Sequence, residues 1–194
     1  MEKLLDLIMT RLIASGWIGD DDREIVRYGL ELMLMKALVT AAMLVIAFAT
    51  HMVSEFIVFI LLYPPLRRCC GGYHARSRIA CVIFSVMLFA ALIAAVKLLP
   101  ESLAGYTSFF MLSAGTAVII ALAPVAAPEK SFDEAELRVF RMRSLAVVTL
   151  AVAAAAVLGA LKLHRQMFSA SFAVFFTAVL LTAGRINKMK GEIS

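Results

Sequence analysis

A histidine and a cysteine seven residues apart, His74 and Cys81, are the side chains in this sequence best suited to nucleophilic catalysis. An imidazole can remove the thiol proton, and the resulting thiolate is the attacking species. In one continuous helix the two would stand about 10.5 Å apart along the axis, whereas proton transfer needs about 3 Å. The Gly71-Gly72 pair upstream permits a tight turn or a positive φ. The pattern therefore predicts a loop at His74 that folds back towards a helix beginning before Cys81.

Ser77 is the predicted N-cap of that helix, because a serine hydroxyl can accept a hydrogen bond from the backbone N–H groups of the first turn. Cys81 then lies just inside the helix. There the helix dipole, together with Arg76 and Arg78, would favour the thiolate.

Two other interpretations of this segment remain open. Cys69, Cys70, His74 and Cys81 could bind a zinc ion, although adjacent cysteines suit a tetrahedral site poorly. A membrane cysteine is also often an inert packing residue, and a cluster of arginines often only sets membrane orientation.

The elements that must position these residues are membrane helices. Hydrophobic residues make up 62% of the 194 residues, charged residues 17%, and the mean hydropathy is +0.91. A soluble domain is about 45–50% apolar and about 25% charged, so a soluble enzyme is excluded. Six apolar segments are predicted to cross the membrane, at residues 30–50, 52–66, 79–99, 106–127, 144–161 and 168–184.

The second segment is marginal, because it contains Glu55 and is predicted to end at Pro64-Pro65. A re-entrant segment is the alternative there. Residues 1–15 carry leucines and isoleucines at helical spacing, which predicts an amphipathic helix lying in the membrane interface. The expected fold is all-α: a single-domain, polytopic integral membrane protein with six transmembrane helices and an N-terminal interfacial helix.

The basic residues are unevenly distributed along the chain. Six crossings would place fifteen lysines and arginines on one side of the membrane and three on the other, with Lys36 inside the first span. Cytoplasmic loops carry the excess of these residues. Both termini and the loops 63–78 and 128–143 are therefore predicted to be cytoplasmic. Because most of the basic residues are predicted to lie on one membrane face, the net charge of +5 does not indicate nucleic-acid binding.

The stretch Gly71-Gly72-Tyr73-His74-Ala75-Arg76-Ser77, followed by Cys81, resembles the motif of the accessory gene regulator B (AgrB) family of bacterial membrane cysteine endopeptidases. The resemblance extends to the chain length, the six apolar segments, the charged amphipathic N-terminal region and Ala123-Pro124-Val125 ahead of a basic stretch. By position, His74 resembles the catalytic histidine of that family and Cys81 its catalytic cysteine. Arg67 resembles an upstream arginine associated with function.

The resemblance implies a defined reaction. A multi-pass enzyme of the bacterial cell membrane would cleave the C-terminal tail from an AgrD-like propeptide at the cytoplasmic face. An acyl-enzyme thioester would then close to a thiolactone or lactone ring. The substrate-binding candidates are Arg67, Gly71, Gly72 and Lys130. The resemblance implies a homodimer and implies no metal or cofactor. The alternative is a non-enzymatic membrane protein, either a small transporter or a peptide-binding accessory subunit.

Charged residues outside the motif allow two interpretations each. Glu129 and Asp133 could orient His74 or could be solvated loop residues. Lys36 and Glu55 lie in or near apolar spans, where charges are functional candidates by default, but each could instead reach the membrane interface. Backbone N–H groups near the start of the third span are the expected oxyanion donors.

We expect a cysteine substituted for Arg76, in a variant without the three native cysteines, to be protected from a membrane-impermeant maleimide added to intact cells. It should react after permeabilisation, because the loop 63–78 is predicted to face the cytoplasm. A cysteine substituted for Lys162 is the control and should react from outside. Labelling of position 76 in intact cells would contradict this topology.

Overall fold

The computed structural model describes residues 2–15, 19, 22–72, 77–125 and 133–193. In these residues all regular structure is helical apart from one isolated β-bridge. The chain forms two compact units, residues 1–45 and 46–194, and the boundary lies inside the second helix. The described residues form seven helices: α1 (Glu2–Ala14), α2 (Arg23–Thr50), α3 (Val53–Cys70), α4 (Arg78–Leu98), α5 (Glu101–Leu122), α6 (Glu134–Ala160) and α7 (His164–Ile193).

The first unit contains α1 and most of α2. Leu5 and Met9, one turn apart on α1, are both 3% exposed, as expected for the apolar stripe of an amphipathic helix. Asp6, on the polar side, forms an ion pair with Arg27 of α2 at 3.5 Å. The helical conformation agrees with the sequence pattern, and the location of α1 in a membrane interface stays a prediction.

Among the residues that the structure describes, five helices are long and apolar enough to cross a membrane, which indicates a multi-pass membrane protein. They are Arg23–Thr50, Ile79–Leu98, Glu101–Leu122, Glu134–Ala160 and His164–Asn187. Each corresponds to one of the predicted segments other than 52–66. The helices are mostly longer than the apolar runs, because polar residues continue the same helix beyond the apolar part.

The predicted end of the fourth segment, 106–127, is wrong. Helix α5 begins earlier, at Glu101, and ends at Leu122. Pro124 lacks the N–H group that a helix would use, and it disfavours helical backbone at the residue before it. Accordingly, Ala123 has an extended conformation.

The predicted helix end at Pro64-Pro65 is also wrong. Helix α3 continues through both prolines to Cys70, although each proline removes one hydrogen bond from the helix. Tertiary packing outweighs this loss, because Phe59 before the pair and Leu66 after it are 1% and 0% exposed. With its charged residues, α3 is not among the five helices that meet the criteria for a membrane span.

Helix α7 forms the centre of the second unit and contacts α3, α4, α5 and α6. In its most apolar stretch 67% of the residues are buried, compared with 22–28% of the residues in the corresponding stretches of α4, α5 and α6. Aromatic rings hold α3 and α4 beside it. Phe59 of α3 lies 5.8 Å from Phe89 of α4 and 6.5 Å from Phe172 of α7, measured between ring centroids.

Helices α3, α5 and α7 run in the same direction. Near their starts, Gln166 Nε2 of α7 donates a hydrogen bond to Ser54 Oγ of α3 at 3.0 Å. Near their ends, the residues that follow α3 contact both Val125 after α5 and Leu180 of α7. The helices between them in sequence, α4 and α6, therefore run in the opposite direction.

The connections at the two ends of this bundle differ in length. At the end where α3, α5 and α7 start, two or three residues suffice for each connection. His51 and Lys162 there have φ of 57° and 58°, and the N–H of the following residue donates back across the turn to Ala47 and Leu158 respectively, as in a Schellman C-cap. The longer connections, 71–77 and 123–133, lie at the other end, where the candidate chemistry is.

We expect Gly115→Ala to lower the thermal unfolding midpoint in detergent, because a Cβ there would lie 2.9 Å from the Phe175 Cα of α7. Overpacking costs about 1–3 kcal/mol, equivalent to roughly 2–12 °C for a chain of this size. Gly105→Ala in the same helix is the control, because its Cβ meets nothing within 4 Å. Equal midpoints for the two variants would contradict this packing.

Candidate active site

Two hydrogen bonds between Arg67 and Gly71 cap the C-terminus of helix α3. Gly71 follows the helix with φ 74°, and its N–H donates to the Arg67 carbonyl at 3.2 Å. In return, Arg67 Nη1 donates to the Gly71 carbonyl at 2.8 Å. Arg67, which was predicted to be a functional residue, is thus hydrogen-bonded to Gly71, one of the predicted substrate-binding glycines.

The segment after α3 pairs with the segment after α5. Gly71 and Val125 form a parallel β-bridge, in which the Val125 N–H donates to the Cys70 carbonyl at 3.1 Å and the Gly72 N–H donates to the Val125 carbonyl at 3.4 Å. Val125 follows a cis Ala123–Pro124 bond. The starts of two loops are therefore joined through Gly71 and Val125, which are 54 residues apart in sequence.

Both glycines are required by this close approach. A Cβ on Gly71 would overlap the Val125 carbonyl oxygen, and one on Gly72 would lie 2.8 Å from both the Leu180 carbonyl oxygen and the Leu181 Cα of α7. Both have positive φ, 74° and 105°, which glycine alone adopts without steric cost. The positive φ that the sequence permits at this pair is present at both residues.

Cys69 and Cys70 belong to the packing of α3. Ser144 Oγ of α6 lies 2.8 Å from the Cys69 carbonyl oxygen, and Ser144 is 1% exposed. Cys70 is 0% exposed, so its thiol is closed to a substrate.

Cys81 has a different environment. Ser77 is the N-cap of α4, as predicted, with its Oγ accepting from the Ala80 N–H at 3.1 Å. The Cys81 N–H donates to the Ser77 carbonyl at 3.1 Å. The side chain of Cys81 is exposed in the first turns of the helix, where the positive end of the helix dipole stabilises negative charge.

Tyr63 is a site residue that the sequence did not reveal. Its hydroxyl hydrogen-bonds with the Arg67 side chain and is close enough to the Cys81 thiol to interact electrostatically. Its ring stacks on Phe59, with centroids 4.8 Å apart. The four-residue spacing from Tyr63 to Arg67 could have indicated that the two side chains are neighbours, but only if α3 continues as a helix through the prolines.

The structure thus brings together Arg67, Gly71 and Gly72, and Tyr63, which is hydrogen-bonded to Arg67, lies within electrostatic range of Cys81. His74, Lys130 and Glu129 lie outside the described residues. Asp133, considered as an orienting carboxylate, is the N-cap of α6 and accepts from the Glu134 N–H at 2.8 Å.

Glu55 does not join this site. Glu55 is 3% exposed, accepts a hydrogen bond from Ser54 at 2.8 Å, and lies at the opposite end of α3. Whether Glu55 has a functional role or lies near the membrane interface stays a prediction. Within the described residues no three histidine, cysteine or acidic side chains are grouped as metal ligands, and Cys69, Cys70 and Cys81 are free thiols. The described cysteines thus give the zinc interpretation no support.

Comparison with known proteins gives matches in sequence only. Residues 3–183 match the family model described as "Accessory gene regulator B". Two relatives, from Listeria monocytogenes serotype 4a (strain HCC23) and serovar 1/2a (strain ATCC BAA-679 / EGD-e), are named "Putative AgrB-like protein". They are 29% and 28% identical over 89 residues, which cover 45% of this chain and 42% of each relative. No solved structure matches the chain.

The match therefore spans less than half the length of these relatives. The family model, in contrast, covers nearly the whole chain and includes every residue of the site described above. The chain belongs to the accessory gene regulator B family.

Proposed function

We propose that this protein is a cysteine endopeptidase that cleaves an AgrD-like propeptide at the cytoplasmic face of the bacterial cell membrane. Membership of the accessory gene regulator B family connects the chain with the agr quorum-sensing system and with peptide processing. The observation that carries the proposal is the contrast between the cysteines. Cys81 is exposed at a helix start, whereas Cys70 is fully buried.

In the proposed first step, His74 removes the proton of Cys81, and the Sγ thiolate attacks the carbonyl carbon of the scissile peptide bond. The tetrahedral intermediate then collapses with cleavage of the C–N bond. His74 returns the proton to the leaving nitrogen, which becomes the N-terminus of the released tail. The remaining peptide is bound to Cys81 as a thioester.

In the second step, an internal cysteine or serine of the propeptide attacks the thioester carbonyl. Its proton passes to His74, and the Cys81 thiolate leaves. The product is a thiolactone or a lactone ring. Exchange of one thioester for another changes little in bond type, so exclusion of water determines whether the ring or the hydrolysed peptide forms.

Within this proposal α3 is the sixth crossing and both termini are cytoplasmic. Helix α3 is 18 residues long, about 27 Å at 1.5 Å per residue, and runs beside α7 from Ser54 to Gly72. Because the ends of α3 and α5 and the starts of α4 and α6 lie together, one membrane face receives all the longer loops.

Basic side chains surround this end and would attract an acidic propeptide tail. Exposed arginines at this end include Arg68, Arg138, Arg141 and Arg143. We assign tail binding to these and to Lys130, and we assign to Arg67, Gly71 and Gly72 the positioning of the loop that carries His74. Homodimerisation remains a prediction of the family resemblance alone.

We expect Cys81→Ala to abolish cleavage of the propeptide encoded beside this gene, assayed with purified protein in liposomes by mass spectrometry of the released tail. Cys81→Ser should retain little or no activity, and His74→Ala should lose at least about 10²-fold, as is typical for a general base. Cys69→Ala is the matched control and should cleave normally. Cleavage by Cys81→Ala would overturn the proposal, and absence of cleavage by the unmodified protein would favour the non-enzymatic alternative.

Gly72→Ala should reduce the rate of cleavage about 10-fold or more, because the new Cβ would be 2.8 Å from the backbone of α7 and must displace the loop that carries His74. A misplacement of about 1 Å can cost about 10²-fold in rate. Gly105→Ala is the control with open space around its Cβ. A Gly72→Ala protein with full activity would exclude a positioning role for this glycine.

A further inference from the structure

One face of α3 carries Phe59, Tyr63, Arg67 and Gly71 at four-residue intervals, and such residues are neighbours along a helix. Each contacts the next: Phe59 stacks on Tyr63, Tyr63 hydrogen-bonds with Arg67, and Arg67 donates to the Gly71 carbonyl. The row leads from the aromatic core to the loop that precedes His74.

The antiparallel helix α4 carries a second row, Cys81, Ser85 and Phe89, again at four-residue intervals. Phe89 is the member of this row whose contact with α3 is direct. The two rows meet at Phe59 and Phe89, whose ring centroids are 5.8 Å apart. Eight residues of helix, about 12 Å, separate Phe89 from Cys81 and also separate Phe59 from Arg67. Cys81 therefore lies level with Arg67, and Tyr63 lies one turn deeper.

The backbone N–H groups nearest the Cys81 thiol are already engaged. The Ala80 N–H donates to Ser77 Oγ, and the Cys81 N–H donates to the Ser77 carbonyl, both at 3.1 Å. These are two of the backbone N–H groups near the start of the span that the sequence offered as oxyanion donors, and neither is available while the Ser77 cap is intact. A side-chain donor beside the thiol would add to the N–H groups that remain at the start of α4.

Tyr63 has the chemistry for this role. A guanidinium can only donate hydrogen bonds, so in the pair with Arg67 the tyrosine oxygen accepts. The tyrosine proton is then available to donate. A hydrogen bond from a cation polarises the O–H group and strengthens the bond that it donates in turn. The stacking on Phe59 holds the ring in place.

We propose that the Tyr63 hydroxyl donates a hydrogen bond to the oxyanion formed when the Cys81 thiolate attacks the scissile carbonyl. The proton stays on Tyr63 throughout, and the bond is lost when the C–N bond breaks and the carbonyl re-forms. Arg67 acts through Tyr63 as a positioning residue. This inference rests on the proposed endopeptidase function.

Tyr63→Phe is the decisive variant, because it removes one oxygen and keeps the ring on Phe59. Loss of one oxyanion donor lowers kcat about 10²–10³-fold, and we expect that loss with KM changed less than about 2-fold. Tyr106→Phe is the matched control: Tyr106 is 79% exposed at the far end of α5, and this variant should cleave at the unmodified rate.

Two further measurements separate this role from others. The rate at which iodoacetamide alkylates Cys81, in a Cys69→Ala background with the site located by mass spectrometry, should be unchanged in Tyr63→Phe, as should the thermal unfolding midpoint. A slower alkylation or a lowered midpoint accompanying the loss of activity would overturn the oxyanion role in favour of thiol activation or stability.

Full activity of Tyr63→Phe, while Cys81→Ala is inactive, would overturn the role of Tyr63 and leave the endopeptidase proposal intact. Failure of the unmodified protein to cleave, or undiminished cleavage by Cys81→Ala, would overturn both. The comparison of these three proteins in one assay therefore distinguishes the two failures.

Discussion

The close approach of backbone to backbone at Gly71 and Gly72 is the constraint on which the candidate site depends. These two residues lie against Val125 on one side and against Leu180 and Leu181 on the other. No side chain fits there, and the hydrogen bonds of the bridge are made by the backbone. The arrangement fixes the start of the loop that carries His74 relative to three helices, α3, α5 and α7.

The rigidity of that junction comes from the packing behind it. Helix α7 is surrounded on most sides, and the Gly115 contact brings α5 close to it. Lipid is as apolar as the helix interior, so small residues that allow close contact drive association more than hydrophobicity does. A site built on helices held in this way keeps its geometry better than one built on loops alone.

The two ends of the second unit have different roles. At one end, tight turns with His51 and Lys162 in left-handed backbone connect the helices. The other end carries the exposed arginines, the capped start of α4 and the exposed Cys81. Tyr63 and Arg67 connect this end to the aromatic core, so the same row of α3 side chains serves both packing and the candidate chemistry.

The sequence by itself determined the membrane class and the helical segments and indicated Cys81 as the candidate nucleophile, because hydropathy, capping chemistry and a short motif are local properties. Ser77 caps α4 as predicted, since an N-cap needs only its own first turn. The continuation of α3 through Pro64 and Pro65 could not be predicted, because it depends on contacts of Phe59 and Leu66 with other helices that outweigh a local preference. For the same reason only the tertiary structure revealed Tyr63 as a neighbour of Cys81, the pairing of Val125 with Gly71, and the burial of Cys70. Each of these requires segments that are distant in sequence, or an unbroken helix, to be in place first.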